Sequence, residues 1–435
     1  MARAIFFGLP SRRSADRCRF KAYLRRREIT QSGLESARVS YPRVHLSSSR
    51  PDLSPRWSTG CLRPICWLRC ESSTRRTVAI AGTTAFKQWE DPLEALAWMS
   101  RTFPEKKSRW IGYLSYDLGR CFESIPVRTA DDLKLPLFAF VCVVPSPDRP
   151  QLPEPVYEEA SRLLSSGEST FARADYERAV AKAIEYVRAG DIFQVNLSQR
   201  LTLPLRSHPL VIYRRLLSQQ APRYGAYLGF DDFALISNSP ELFLKVDPDR
   251  TVTTRPIKGT RPNLPNMEDE LRLSAKDEAE LDMIVDLERN DLGRVCETGS
   301  VRVTEPRHIE THANVLHGVA TVQGRLRAEV GFVDLLRATF PGGSITGAPK
   351  IRAMEIIEEL EPVRRGPYCG AIGYLSSDGS MEFNVAIRTM IVKDAQVHVP
   401  AGGGIVADSV PAAEYEETLV KARGMLDVLA EASPD

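Results

Sequence analysis

The sequence lacks any apolar run that approaches the roughly 18 residues a membrane-spanning helix needs, so we expect no membrane insertion. Histidine is scarce, with 6 residues among 435, and the 8 cysteines follow no zinc-binding spacing. A metal site built from cysteine and histidine is therefore not expected. The glycine-rich stretches match neither the Walker A motif nor the dinucleotide fingerprint, which argues against a nucleotide site of either kind.

Acidic residues are scarce in residues 1–76, which hold 17 Lys and Arg against 5 Asp and Glu, whereas the whole chain holds 58 against 56. The remainder is therefore acidic, and its bulk charge does not favour nucleic acid as a partner. We interpret residues 1–76 as a basic leader: a transit peptide, a disordered arm, or a mis-assigned start or reading frame. Scattered cysteines are typical of a reducing compartment, so the expected location is cytoplasmic, or organellar if the leader is a transit peptide. A non-catalytic protein whose leader binds nucleic acid or an acidic surface stays open as an alternative class.

From Thr77 onward, short apolar strands and amphipathic helices follow one another without a regular strand–helix repeat. This pattern predicts an α+β fold with large antiparallel sheets. A proline-rich stretch at residues 145–155 predicts a seam between two parts. We therefore divide the chain after the leader into an amino-terminal sub-domain, residues 77–155, and a larger domain, residues 156–435.

The lysine of Arg255-Pro256-Ile257-Lys258-Gly259-Thr260 follows a run of β-branched residues that predicts a strand. Pro256 cannot donate to a sheet and Gly259 permits unusual backbone geometry, so we expect the strand to end here with Lys258 at its tip. Enzymes often mount reactive groups at such positions. A solvated surface lysine is the alternative that this segment alone leaves open.

Acidic residues cluster near the predicted starts of two helices. Glu280 lies within the first two turns of one helix, and Glu414 and Glu417 lie three residues apart in the last helix, hence on one face. Acids are common at helix N-termini because they interact favourably with the helix dipole. The alternative is a Mg²⁺ site with few carboxylates, which leaves room for waters and an anionic substrate.

Several residues are candidates for binding anions. Arg388 is predicted to lie mid-strand in an apolar run, where it needs an anionic partner: a structural salt bridge or a substrate carboxylate. The run Gly402-Gly403-Gly404 predicts a turn, which is either only a tight turn or one that presents backbone N–H groups to a carboxylate. Tyr368 either packs or donates its phenol group.

Two further side chains have catalytic chemistry but weak local signals. Glu241, after Ser239-Pro240, is a general acid if its pKa is raised, and otherwise an exposed surface glutamate. His317 is a lone histidine, which is usually an ordinary satisfied side chain.

Taken together, these segments resemble the chorismate-utilising enzyme family, which includes the first components of anthranilate synthase and aminodeoxychorismate synthase, and the isochorismate and salicylate synthases. About eight motifs occur in order between residues 110 and 430, which makes the likeness specific. The matching segments are residues 191–198, Ser239-Pro240-Glu241, 255–260, 286–293, 341–350, 370–374, Ile387-Arg388-Thr389 and 401–406.

Two positions distinguish members within the family. Members that add water carry a lysine where this chain has Gln194, so the resemblance implies that ammonia is the nucleophile. Anthranilate synthases typically carry alanine at the position of Lys258, whereas Pro-Ile-Lys-Gly-Thr is the form of aminodeoxychorismate synthase. The segments Tyr116-Asp117-Leu118-Gly119-Arg120 and Phe122-Glu123-Ser124 are similar to the same subgroup.

The resemblance implies an anthranilate synthase component I-like fold in which residues 156–435 bind chorismate. It implies Lys258 as nucleophile, Glu241 as acid, and Mg²⁺ held by Glu280 and Glu417 with Glu414 close by. Substrate contacts are implied for Tyr368, Arg388, Ser344, the three glycines 402–404, and for His317 and Thr260 at the ring. Because no glutaminase segment is visible, we expect ammonia to come from a separate glutamine amidotransferase subunit. In some relatives a Leu-Glu-Ser motif and a Pro-x-x-Tyr-like stretch hold tryptophan, and the corresponding residues here are Leu34-Glu35-Ser36 and Pro222-Arg223-Tyr224.

Overall fold

The computed structural model describes residues 43–48, 62–145, 167–219, 223–311 and 315–430. Twenty β-strands lie within these residues: β1 Arg43–Ser48, β2 Leu62–Cys70, β3 Thr77–Ala81, β4 Thr84–Trp89, β5 Arg109–Leu114, β6 Phe138–Pro145, β7 Glu168–Ser169, β8 Gln194–Pro204, β9 Tyr224–Gly229, β10 Phe233–Ser239, β11 Leu242–Val246, β12 Thr251–Arg255, β13 Ile257–Pro262, β14 Arg302–Thr311, β15 Val315–Arg325, β16 Gly347–Ala348, β17 Ala371–Ser376, β18 Met381–Val385, β19 Thr389–Lys393 and β20 Gln396–Ile405.

Eight α-helices lie in the same ranges of the chain: α1 Pro92–Met99, α2 Arg173–Arg188, α3 Pro209–Gln219, α4 Met267–Leu273, α5 Ala275–Gly293, α6 Phe332–Thr339, α7 Lys350–Leu360 and α8 Pro411–Ala430. Local sequence explains several of their starts. Asp91 caps α1 by accepting a hydrogen bond from the Leu93 N–H, and Ser274 caps α5 by accepting one from the Asp277 N–H. No helix in this part of the chain is long and apolar enough to cross a membrane.

The strands form two large antiparallel sheets, as the sequence predicts. The larger sheet has 12 strands in the order β13-β15-β12-β11-β18-β17-β5-β6-β2-β3-β4, with β14 beside β15. The smaller has 8 strands in the order β1-β9-β10-β19-β20-β8-β16, with β7 beside β8. The prediction of an α+β fold is confirmed.

Three clusters of buried apolar residues fix the layering. One cluster joins the two sheets face to face through residues such as Tyr113 of β5 and Leu235 of β10. The others pack helices α3 and α8 on the outer face of the smaller sheet, α5 and α6 against the larger sheet, and α7 against β8 and β16 of the smaller sheet. The helices therefore lie outside the two central sheets. Strands that end between the sheets and the helices define the site.

The sheet begins earlier in the chain than the predicted boundary at residue 76. Strand β2, Leu62–Cys70, lies between β3 and β6 in the larger sheet, and β1 pairs with β9 in the smaller sheet. Two segments of the predicted leader, residues 1–76, are therefore strands of the two sheets. The larger sheet also contains strands from both sides of residue 155, so one continuous sheet crosses the predicted seam. The division into a sub-domain and a catalytic domain stays a prediction. Residues 1–42 lie outside the described part of the chain.

Candidate active site

One cavity of about 790 Å³ gathers most of the residues singled out from the sequence. It lies where β13, β15, the end of β20 and helices α5 and α8 meet. Twelve of the fourteen candidate residues line it: Glu241, Lys258, Thr260, Glu280, His317, Ser344, Tyr368, Arg388, Gly402, Gly404, Glu414 and Glu417. The other two, Gln194 and Gly403, lie directly behind its wall.

Lys258 lies inside this cavity rather than on the surface. Strand β12 ends at Arg255 as predicted, but Pro256 is followed at once by β13, so Lys258 is the second residue of a new strand and not a free tip. Its side chain is 12% exposed, and Nζ lies 3.8 Å from Oε2 of Glu280. Burial lowers the pKa of Lys258, although the neighbouring Glu280 opposes this shift.

Gly259 makes this backbone path feasible. Its φ of +77° lies in the left-handed region, and a Cβ there would come within 2.6 Å of Leu271 and 2.9 Å of Asp277. The pairing of β13 with β15 shifts register between Ile257 and Thr260. This irregularity turns Lys258 towards the cavity and brings Thr260 opposite His317.

Glu241 is a buried carboxyl between β10 and β11. It is 3% exposed, so the exposed-glutamate alternative is wrong. Burial raises the pKa of Glu241 to about 7, while the Ser344 hydroxyl and Lys258 act in the opposite direction. A carboxyl with such a pKa is protonated in part near neutral pH and has the chemistry of a general acid.

Thr260 and His317 form a pair on one wall. The Thr260 hydroxyl and Nδ1 of His317 are 2.9 Å apart, across the β13–β15 ladder. His317 is buried, at 4% exposure, and the pair presents a hydroxyl and an imidazole to the same space.

Arg388 and Tyr368 both line the cavity. Arg388 lies in the connection between β18 and β19, not mid-strand as predicted, and its φ is +49°. No carboxylate of the described residues forms an ion pair with it, so the salt-bridge alternative finds no support there. Burial lowers the pKa of Arg388, and nearby Tyr368 partly opposes this shift. A buried guanidinium in this setting is a ready partner for an anionic ligand.

The three glycines 402–404 form part of strand β20 and not a turn, which corrects the prediction. They pair with Ser198, Leu197 and Asn196 of β8. Pairing of β20 with β19 ends at His398, so the glycine segment is in the sheet on one side only. A Cβ on Gly403 would lie 3.1 Å from Oε2 of Glu414 and 3.7 Å from Oε1 of Glu417. The absent side chains therefore leave open space beside the carboxylates of α8.

Glu280, Glu414 and Glu417 reach the same cavity from two helices. The described residues contain no group of three acidic, histidine or cysteine side chains already close enough to hold a metal ion. Mg²⁺ nevertheless needs only one or two carboxylates, with waters and substrate oxygens as its other ligands. The open cradle at Gly403 beside two carboxylates fits such an ion. Burial raises the pKa of Glu414, and the charge of Glu417 acts in the same direction, while a hydrogen bond from Ser409 opposes the shift.

The negative charge of these acids is balanced by lysines. The sequence analysis did not identify two of them, Lys421 and Lys276, as part of the site. Lys421 Nζ lies 2.6 Å from Oε1 of Glu417 and donates to the Gly402 carbonyl at 2.9 Å. Burial would raise the pKa of Glu417, but Lys421, Lys276 and Lys258 together hold it below its usual value. The spacing of Glu417 and Lys421, i and i+4 on one helix, was the available signal.

Comparison with known proteins identifies relatives along most of this chain. Residues 61–427 match the family described as chorismate binding enzyme. Anthranilate synthase component 1 of Thermus thermophilus is 44% identical over 352 residues, which cover 73% of this chain and 76% of that protein. Aminodeoxychorismate synthase component 1 of Klebsiella aerogenes is 42% identical over 346 residues, with the same coverage of 73% and 76%. The chain spans about half the length of three further anthranilate synthase components that it matches.

A solved structure agrees with this assignment. Anthranilate synthase component I of Streptococcus pneumoniae superposes with a TM-score of 0.72 at 31% identity, covering 92% of this chain and 96% of that one. The predicted fold type is confirmed. The sequence match, the sheet architecture and the cavity agree, and the chain belongs to the chorismate binding enzyme family, whose members use chorismate as substrate.

Proposed function

We propose that this protein is the first component of an aminodeoxychorismate synthase, which converts chorismate and ammonia to 4-amino-4-deoxychorismate and water for 4-aminobenzoate and folate synthesis. The observation that carries the proposal is the position of Lys258: its amine lies inside the cavity, beside Gln194 and in the same space as the buried acid Glu241. Relatives of that name are among those that match over most of their length.

The reaction needs to remove a hydroxyl group from carbon 4 of chorismate, and hydroxide is a poor leaving group. The Lys258 amine attacks carbon 2, the double bonds shift, and the carbon 4 hydroxyl departs as water after Glu241 donates its proton. Ammonia then attacks carbon 4 and releases Lys258. Burial of both side chains supports these roles, since it favours a neutral amine and a protonated carboxyl.

Chorismate carries two carboxylates, and the cavity offers a separate cation for each. Arg388, with Tyr368 beside it, is the proposed partner of the enolpyruvyl carboxylate. Mg²⁺ bound by Glu280, Glu414 and Glu417 would hold the ring carboxylate and neutralise its charge. His317 and Thr260 would border the ring, and Ser344, whose buried hydroxyl has no partner among the described residues, is a further proposed substrate contact.

Anthranilate synthase is the second candidate, because relatives of that name match at 44% to 48% identity. Both reactions use chorismate, ammonia and the same cavity, and they differ in which carbon is aminated and whether pyruvate is lost. The lysine at position 258 favours the first candidate, since amination at carbon 4 without pyruvate loss is the chemistry for which a nucleophile at carbon 2 is useful.

Product analysis distinguishes the two candidates. The purified protein is incubated with chorismate, ammonium and Mg²⁺, and products are separated and identified by mass. We expect 4-amino-4-deoxychorismate without pyruvate. Fluorescent anthranilate with equimolar pyruvate would instead establish the second candidate, and unchanged chorismate would contradict both.

A separate glutamine amidotransferase subunit is the proposed source of ammonia in the cell. The relatives are named as first components, which supports a partner of this kind. The expected result is that glutamine replaces ammonium only when an amidotransferase subunit is added. Glutamine use by the isolated chain would contradict the proposal.

A further inference from the structure

A buried ion pair lies beside the cavity and has no part in the chemistry proposed above. Arg365 and Glu361 are 6% and 5% exposed, and hydrogen bonds of 2.6, 2.9 and 3.2 Å join the guanidinium to the carboxylate. Well-packed apolar residues can often replace a buried ion pair without loss of stability, so stability alone is a weak reason for its presence. The backbone groups that this pair binds indicate a further role.

Arg365 binds backbone groups in two segments of the cavity wall. Its Nη1 donates to the Ile345 carbonyl and its Nη2 to the Asn196 carbonyl, both at 2.8 Å. Ile345 and Asn196 both line the cavity. A third lining residue, Tyr368, follows Arg365 in the same connection before β17. One side chain therefore joins strand β8, the glycine-rich segment 341–350 and the segment that carries Tyr368.

Glu361 holds a neighbouring part of β8. Its Oε1 accepts hydrogen bonds from the Ser198 N–H at 2.9 Å and from the Ser198 hydroxyl at 2.8 Å. Ser198 pairs with Gly402 of β20, and Asn196 pairs with Gly404. The ion pair therefore supports β8 along the length that lies opposite the three glycines of the cavity.

The ring of Tyr116 covers the guanidinium of Arg365. Cζ of Arg365 lies 4.7 Å from the centroid of this ring, which is within the range of a cation–π contact. The phenol oxygen of Tyr116 is buried and has no hydrogen-bond partner among the described residues, so the ring and not the hydroxyl makes the contact. Tyr116 begins the motif Tyr116-Asp117-Leu118-Gly119-Arg120, to which the proposed chemistry gives no role.

We propose that Arg365, paired with Glu361, is a positioning residue for the amination, and that Tyr116 acts through it. The inference rests on the proposed amination of chorismate and holds for either product. Arg365 fixes the relative positions of wall segments that carry proposed substrate contacts. A displacement of about 1 Å at a reacting centre can lower a rate about 100-fold, so loss of these hydrogen bonds should lower kcat even where the fold persists.

The first test compares two buried arginines. Arg365→Lys keeps the charge but loses the planar fork that binds two carbonyls and a carboxylate at once. We expect kcat at saturating chorismate and ammonium to fall about tenfold or more in this variant. Arg120→Lys is the matched control, because Arg120 pairs with Glu358 at similar burial, 7% and 4% exposed, and bonds to Thr129 and not to the cavity wall. The control should lose similar stability, measured as the midpoint of thermal unfolding, while its kcat stays within about twofold of wild type.

The second test uses two substitutions of Tyr116 and leaves the ion pair in place. Tyr116→Phe keeps the ring and removes only the unpartnered hydroxyl, so kcat should equal that of wild type. Tyr116→Leu removes the ring from the guanidinium, and kcat should fall about threefold or more. Both variants are measured at a temperature where circular dichroism shows them fully folded.

Wild-type kcat in both folded Arg365→Lys and folded Tyr116→Leu would overturn the inference, as would equal falls in Arg365→Lys and Arg120→Lys. If Arg365→Lys does not fold, the two Tyr116 variants decide, and equal kcat values in them overturn the inference. Failure of the wild-type protein to aminate chorismate with ammonium is a different result, since it refutes the proposed function itself.

Discussion

At the scale of single residues, Glu241 links burial to pH dependence. Its pKa is raised to about 7 by burial, so the protonated form that donates to the leaving hydroxyl is lost as pH rises through that value. We expect kcat/KM for chorismate to fall on the alkaline side with a midpoint near pH 7. Glu241→Gln should lower kcat by about 10²–10⁴-fold and remove this descending limb. A limb that persists in Glu241→Gln would assign it to another group.

Arg388 gives a second prediction at this scale. Because its buried guanidinium has no carboxylate partner among the described residues, its loss should weaken substrate binding and leave the fold intact. Arg388→Met is expected to raise the KM for chorismate by about tenfold or more, measured from initial rates at saturating ammonium. Arg128→Met is the control, since Arg128 is an exposed arginine paired with Glu359. Equal KM values in both variants would contradict the assignment.

Sequence reasoning identified most individual side chains of the site but not their surroundings. The motifs located Lys258, Glu241 and Arg388, yet burial of Glu241 depends on strands distant in sequence. Glu288 illustrates what was missed: burial, reinforced by Glu241, raises its pKa to about 8, and its carboxylate accepts a hydrogen bond from Thr254 at 2.9 Å. Nothing in Asp286-Leu287-Glu288-Arg289 marks Glu288 as the acid of this charged segment that is half-buried.

At the scale of elements, strand β20 controls the acidic end of the cavity. A side chain on Gly403 would occupy the space beside Glu414 and Glu417. Gly403→Ala is therefore expected to raise the Mg²⁺ concentration for half-maximal activity about tenfold or more, and to weaken Mg²⁺ binding measured by calorimetry. Gly293→Ala is the matched control, because a Cβ there meets nothing within 4 Å. An unchanged Mg²⁺ requirement in Gly403→Ala would place the metal elsewhere.

Two strands show why local sequence patterns failed to predict the structure. Three consecutive glycines predict a turn on local preference, but β20 is held straight by pairing with β8, a constraint visible only in the tertiary structure. Strand β2, in contrast, has a local strand pattern that was not recognised. Its Cys66, Leu68 and Cys70 are buried at alternate positions, a strand signal that the arginine-rich surroundings obscured.

At the scale of the whole molecule, β2 ties the early part of the chain to the larger sheet. Leu68 is fully buried in β2, and both strands that pair with β2 come after the predicted boundary at residue 76. Leu68→Ala is expected to lower the free energy of unfolding by about 3 kcal/mol, measured by denaturant titration. Leu273→Ala is the control, since Leu273 is 81% exposed, and its effect should stay within about 0.5 kcal/mol. Equal losses would show that β2 lies outside the cooperative core.

The central claim is that the Lys258 amine forms a bond to the substrate ring, and it is tested by trapping that bond. The protein is mixed with chorismate and Mg²⁺ without ammonia, quenched, digested and examined by mass spectrometry. The account predicts that the Lys258 peptide gains the mass of chorismate less one water, that added ammonium removes the adduct as aminated product forms, and that folded Lys258→Ala gives neither. An unmodified Lys258 peptide, together with wild-type product yield from Lys258→Ala, would contradict it.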